Sequence, residues 1–220
     1  MSDQYCVIFD MDGVLADTGP IHYESWVKIA RDIGVKFTRE IFEDTFGQTS
    51  PTITRKLVGP EVEEDLIEKW ANLKEKYYRE MVKEKLVPLP GVIKILKELK
   101  SEAFKLGVGS SGPPENVELL LSQLKIKSYF NVIITAADVK KGKPEPDVFL
   151  KVAKTLNINP KNCLVIEDAP VGIEAAKRAG MISIALTTTH KKQELIGAHL
   201  IIKDLTEISI KDIINLIESN

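Results

Sequence analysis

Tyr5-Cys6-Val7-Ile8-Phe9-Asp10-Met11-Asp12-Gly13 is an apolar run that ends abruptly in two carboxylates and a glycine. The run is rich in β-branched and aromatic residues and too short for a helix, so residues 5–9 read as a buried strand. Runs of the same kind recur at residues 106–109, 132–135, 163–166, 182–186 and 200–202. Between them the apolar spacing is helical: Val92, Ile95, Leu96 and Leu99 repeat after Pro90 and Gly91, and Ile210, Ile213, Ile214 and Ile217 repeat near the end. Near-continuous apolar strands alternating with amphipathic helices predict an α/β protein whose parallel sheet is covered on both faces.

From residue 17 to residue 87 the alternation stops, and only helical patterns separate the first strand from the second. The first helix of this insert carries Pro20 in its first turn and sets Trp26, Ile29, Ala30 and Ile33 on one face. Its last, over residues 61–85, is long and highly charged. Gly and Pro mark both junctions. Residues 1–16 and 88–220 are therefore expected to form a Rossmann-like three-layer core, and residues 17–87 an all-helical cap domain able to move against it.

Of the 220 residues, 44% are hydrophobic, enough to fill a core, and a net charge of -2 leaves no field favouring nucleic acid or an anionic membrane. A small metabolite is the expected partner. Cys6 and Cys163 both lie in apolar runs and read as buried thiols, not as a disulfide framework or a metal site. With no leader pattern and no apolar stretch long enough to span a bilayer, a cytoplasmic protein is expected, with a monomer the favoured state.

In an open α/β sheet ligands bind beyond the carboxyl ends of the strands, so chemistry is expected in the polar residues that follow each apolar run. Asp10 and Asp12 follow the first. Two such acids repel each other unless a cation intervenes, and Mg²⁺ takes one or two carboxylates and fills its other positions with water and phosphate oxygens. Ser110 follows the second strand and precedes Ser111, Gly112 and a helix start at Pro113, a cradle of hydroxyl and free N–H groups for phosphate oxygens. Lys143 lies in Lys141-Gly142-Lys143-Pro144-Glu145-Pro146-Asp147, where two prolines fix the direction of its ammonium. Glu167 and Asp168 follow the fourth strand and supply a second acid pair for the same cation. Each has an ordinary reading taken singly: an Asx turn, a helix cap, a solvated lysine, acids facing a helix dipole. Together they deliver the nucleophile, cation ligands, hydroxyl and lysine of a phosphoryl transfer.

This set and its order resemble the haloacid dehalogenase superfamily, with residues 9–18 as the first motif, and are closest to its β-phosphoglucomutase-like branch with a helical cap. The resemblance covers essentially the whole chain. It implies that Asp10 attacks phosphorus, that Asp12 is the general acid and base with its backbone carbonyl on Mg²⁺, and that Asp10, Asp168 and Glu167 complete the metal's protein ligands. Ser110, Ser111, Gly112 and Lys143 would hold the phosphate. In the cap it points to His22, to Lys74 and to the Gly47–Ser50 turn as substrate contacts. β-Phosphoglucomutases place an arginine where Ser50 stands, and that arginine grips a second phosphate. A phosphatase acting on a sugar phosphate, phosphoglycolate or polyol phosphate is therefore expected ahead of a mutase. A non-enzymatic phosphorylated switch is disfavoured by the helical insert and by Asp12. No lysine stands in the Gly47 turn for the Schiff-base chemistry of phosphonoacetaldehyde hydrolases. Glu174, Lys177 and Arg178 read as a solvated face, and His190 and His199 carry only a structural reading.

Overall fold

The structure, a computed structural model, describes residues 4–82 and 86–219. Strands β1 (Cys6–Phe9), β2 (Lys105–Gly109), β3 (Val132–Ile134), β4 (Cys163–Glu167), β5 (Ile182–Leu186) and β6 (Leu200–Ile202) form one sheet in the order β3-β2-β1-β4-β5-β6. Every neighbouring pair is parallel. Each strand lies where an apolar run predicts one, with bounds differing by a residue at most.

Because successive strand side chains point to opposite faces, β1 feeds two cores. Val7 and Phe9 join Leu106, Val108, Leu164 and Ile166 under α5 (Val92–Ser101), α6 (Pro114–Gln123) and α9 (Ile210–Glu218). Cys6 and Ile8 join Cys163 and Val165 under α7 (Asp147–Leu156) and α8 (Pro170–Arg178). Both cysteines are buried free thiols, and they face each other in register across β1 and β4.

The insert between β1 and β2 consists, among the described residues, of α1 (Gly19–Asp32), α2 (Arg39–Thr45), α3 (Ser50–Val58) and α4 (Glu64–Val82), packed around Trp26, Ile29, Phe42, Phe46 and Ile53. Helix α4 begins at Glu64, not at Glu61, because the preceding turn is held by Arg55, whose guanidinium donates to the Val62 carbonyl. The expected end of that helix at Lys85 lies outside the described residues. The two connectors meet: Leu89 N donates to Leu15 O at 3.1 Å, and Ala16 bridges Pro88. No helix among the described residues is long and apolar enough to cross a membrane.

Strand order reverses beside β1, with β2 on one side and β4 on the other, so the ligand crevice of such a sheet opens at the carboxyl ends of β1 and β4. Register fixes what stands there. Phe9 pairs with Ile166, so the next residues, Asp10 and Glu167, come side by side.

Candidate active site

Asp10 is 6% exposed, and its carboxylate takes a hydrogen bond from Lys143 Nζ at 2.6 Å. The same ammonium donates to Glu167 Oε1 at 2.7 Å. Lys143 is itself buried, which removes the ordinary alternative of a solvated loop lysine. Burial works against its charge, but Asp10 and Glu167 outweigh it and raise the Lys143 pKa, keeping it an ammonium. Glu167 spends its other oxygen on the N–H groups of Asp168 and Ala169, at 2.7 and 2.8 Å.

Asp10, Glu167 and Asp168 each offer an oxygen within 4.8 Å of the others. Crowding shows in their protonation. Burial, opposed by Lys143 and reinforced by Glu167 and Asp12, pushes Asp10 up to about 7. Burial, with repulsion from Glu167 and Asp10, raises Asp168 well above the ordinary carboxylate range. The backbone makes room for this cluster at Gly13, whose φ is +76° and where a Cβ would lie 1.9 Å from Asp168 Oδ2.

Asp12 faces away from the trio, toward α1. Its Oδ1 accepts from Thr18 Oγ1 at 2.6 Å and lies 3.1 Å from His22 Nε2. Although burial disfavours its charge, His22, Thr18 and Lys74 prevail and hold its pKa below the usual value. On the far side of the imidazole, Lys74 Nζ lies 2.7 Å from His22 Nδ1 and 3.0 Å from Glu75 Oε1. Lys74 is 1% exposed, and it stands on the cap side of the site with His22.

The helix start after β2 lies across the cleft. Ser110 Oγ accepts from Gly112 N at 3.0 Å, and the buried Ser111 hydroxyl has no protein partner. Asp10, Asp12, His22, Gly47, Ser50, Lys74, Ser111 and Gly112 thus line one cleft. Ser50, at the start of α3, donates to Glu75 Oε1.

Of three groups beside the cluster, Thr188 and Thr189 have no counterpart in the sequence reading, and His190 has only a structural one. Thr189 donates to Asp168 Oδ2, and Thr188 donates to Gly13 O at 2.5 Å. His190 is buried, with Nδ1 3.0 Å from Asp168 O and Nε2 3.1 Å from Glu43 O, so it ties the core loop to α2. All three follow β5, where the strand-end rule applied. His199 is structural, receiving the Ser183 N–H at 3.1 Å. Arg178 pairs with Glu174 on an exposed face.

A parallel sheet in Rossmann-like order, a helical cap over its crevice and a buried carboxylate–lysine centre at the switch point define a capped α/β enzyme. The family is shown by comparison: residues 7–186 match the model of the haloacid dehalogenase-like hydrolases, and the chain belongs to that family. It is 34% identical over 213 residues to a Bacillus subtilis β-phosphoglucomutase, covering 93% of this chain and 92% of that protein. It is 33% identical over 205 residues to a validoxylamine A 7'-phosphate phosphatase of Streptomyces hygroscopicus, covering 91% and 94%. A crystal structure of a Clostridium difficile β-phosphoglucomutase superposes with a TM-score of 0.89 at 29% identity, covering 98% of each chain.

Proposed function

We propose that the chain is a magnesium-dependent phosphatase that removes phosphate from a small phosphomonoester through a phosphorylated Asp10. The observation that carries this reading is the single ammonium of Lys143 shared between Asp10 and Glu167, with Asp168 alongside and Asp12 one residue beyond the nucleophile. Three crowded, buried acids with raised Asp10 and Asp168 fit a small hard cation that would relieve their repulsion. Asp10, Glu167 and Asp168 would hold Mg²⁺ with the Asp12 carbonyl, and the ion would neutralise charge on the transferring phosphoryl group.

In this reading an Asp10 oxygen bonds to phosphorus as the ester P–O bond breaks, and Asp12 gives the departing alkoxide a proton. Water then attacks the aspartyl phosphate, losing its proton to Asp12, and Asp10 is regenerated. The low pKa of Asp12 suits the second half of this cycle. Lys143 Nζ, Ser110 Oγ and the unpartnered Ser111 Oγ would receive the phosphoryl oxygens. The cleft has about 40 Å³ of free space. At about 10–15 Å³ per water it admits a few waters and no ester, so substrate enters when cap and core separate. The meeting of the connectors at Ala16 and Pro88 supports a division into residues 17–87 as cap and residues 1–16 and 88–220 as core.

The test is phosphate release with Mg²⁺ across sugar phosphates, polyol phosphates and phosphoglycolate, with rapid acid quenching to trap label on the protein. Asp10→Asn is expected to abolish turnover and labelling while remaining folded, and Asp12→Asn to slow turnover strongly. Near-normal turnover by Asp10→Asn rules out the proposed nucleophile. Similarity to two β-phosphoglucomutases favours a second reading, a mutase. Hexose 1-phosphate with a bisphosphate activator separates the two, because conversion to hexose 6-phosphate without free phosphate establishes the mutase.

A further inference from the structure

Glu75 is 6% exposed and stands where the cleft over Asp10 joins an outer crevice of about 380 Å³ between α4 and the loops after β2 and β3. Both spaces share Ser50, Glu75 and Ser111 as walls, so the way from Asp10 to the outer crevice runs past Glu75. The outer crevice is lined by Glu68, Asn72, the Thr49–Pro51 turn and apolar or neutral loop residues, and no Lys or Arg lines it among the described residues.

Two cations of α4 near Glu75 already have partners. Lys74 lies between Glu75 and His22, and Arg79 donates to Asn116 Oδ1 at 2.8 Å. Glu75 Oε1 accepts from Ser50 and Lys74, while Oε2 accepts from Asn116 Nδ2 at 2.5 Å. An ionised carboxylate has about four acceptor positions, so one remains on Oε2. It accepts only, which requires a donor from the ligand. Ser50, whose proton goes to Glu75, can still accept through Oγ. Hydroxyl groups satisfy both, being donor and acceptor, whereas a phosphate brings only further negative charge toward Glu75 and Glu68.

We infer that Glu75 is the specificity-determining residue of the cap, selecting phosphomonoesters whose far end carries uncharged hydroxyl groups and rejecting those with a second phosphate. The inference rests on the phosphatase reading for the place of the first phosphate, and binding tests it apart from turnover.

Calorimetry on Asp10→Asn protein with Mg²⁺ compares sorbitol 6-phosphate, hexyl phosphate of the same chain length without hydroxyls, and fructose 1,6-bisphosphate. Sorbitol 6-phosphate is expected to bind at least tenfold more tightly than either. Adding Glu75→Gln is expected to narrow both gaps to about threefold. Bisphosphate binding as tight as that of sorbitol 6-phosphate in the protein that retains Glu75 overturns the inference, whether or not the Glu75→Gln protein folds. If wild-type enzyme releases phosphate from no ester while the binding preference is present, the phosphatase reading fails and the hydroxyl-selecting site stands.

Discussion

Gly47 of the cap is seated against Ala169 of the core: a Cβ at residue 47 would lie 2.9 Å from Ala169 Cβ and 3.0 Å from Val171 Cγ2. Its φ of +87° adds a second reason for glycine. Gly47→Ala is therefore expected to do two separable things. A side chain at positive φ costs about 1–2 kcal/mol, lowering Tm by roughly 2–8 °C for a chain of this size. The clash also holds the cap off the core, so kcat/KM for phosphate release is expected to fall about tenfold or more. Gly34→Ala is the control, since Gly34 has φ +74° with nothing within 4 Å of the added carbon. It should share the loss of Tm and keep the kinetics. Equal kinetic losses in both variants would show that the seam between Gly47 and Ala169 is unimportant for closure.

Lys143 neutralises two buried acids at once, and its removal strands both. Breaking a buried pair from one side costs about 3–5 kcal/mol, so Lys143→Met is expected to lower the Tm of metal-free protein at pH 8 by roughly 6–20 °C. Turnover is expected to fall by about 100- to 1,000-fold, as for loss of one group stabilising transition-state charge. At pH 5 the stability loss should shrink, because Asp10, already raised to about 7, takes up a proton in place of the ammonium. Thermal unfolding in EDTA at both pH values checks this, and a loss independent of pH would contradict the shared-ammonium account.

If Asp10, Glu167 and Asp168 hold Mg²⁺ as proposed, the raised acids also set the pH dependence of its binding. A carboxyl whose folded-state pKa lies above its unfolded value stabilises the fold fully below the unfolded value and loses that contribution as pH rises through the folded one. For Asp10 the window runs from about 4 to about 7, and Asp168 extends the effect in the same direction. Metal binding must displace these protons, so each contributes up to about tenfold in affinity per pH unit below its pKa. The rise in Tm on adding Mg²⁺ to EDTA-treated protein is expected to grow from pH 5 to pH 8. A rise that is constant over that range would mean the trio does not hold the ion.

The sheet and the meeting of Asp10, Glu167 and Asp168 were legible because an apolar run fixes a strand and the strand fixes where its next residue emerges, whereas Lys143, in a loop well past β3, was legible through the prolines that stiffen that loop. Glu75 was not. It sits on α4 among Glu64, Asp65, Glu68, Lys69, Lys76, Arg79 and Glu80, and periodicity does not distinguish a buried charge from a solvated one. A signal existed nonetheless: Ile67, Ala71, Lys74, Tyr78 and Val82 share one buried stripe at helical spacing, and a lysine in such a stripe requires a buried partner. Thr188, Thr189 and His190 follow β5 just as Glu167 and Asp168 end or follow β4, yet hydroxyls and an imidazole carry no obvious ligand pattern. Their contacts arise from loop geometry that residue spacing does not encode.

Thr189 provides the sharpest test of those contacts, because its hydroxyl donates to Oδ2 of Asp168, the carboxylate that clusters with Asp10 and Glu167. Thr189→Val keeps the shape and deletes the donor. Removing the group that orients a metal ligand typically costs about 10- to 100-fold in metal affinity. The Mg²⁺ concentration for half-maximal phosphate release is therefore expected to rise by at least about tenfold, with kcat at saturating Mg²⁺ within about threefold of wild type. Thr189→Ser, which restores the hydroxyl, should return the metal dependence toward wild type. Without the Thr189 bond Asp168 also loses one of the two contacts that oppose its raised pKa, the other being Lys143, so the pH at which Mg²⁺ begins to stabilise the protein should move upward. A Val variant with unchanged metal dependence and a reduced kcat would instead place Thr189 in contact with the reacting phosphate.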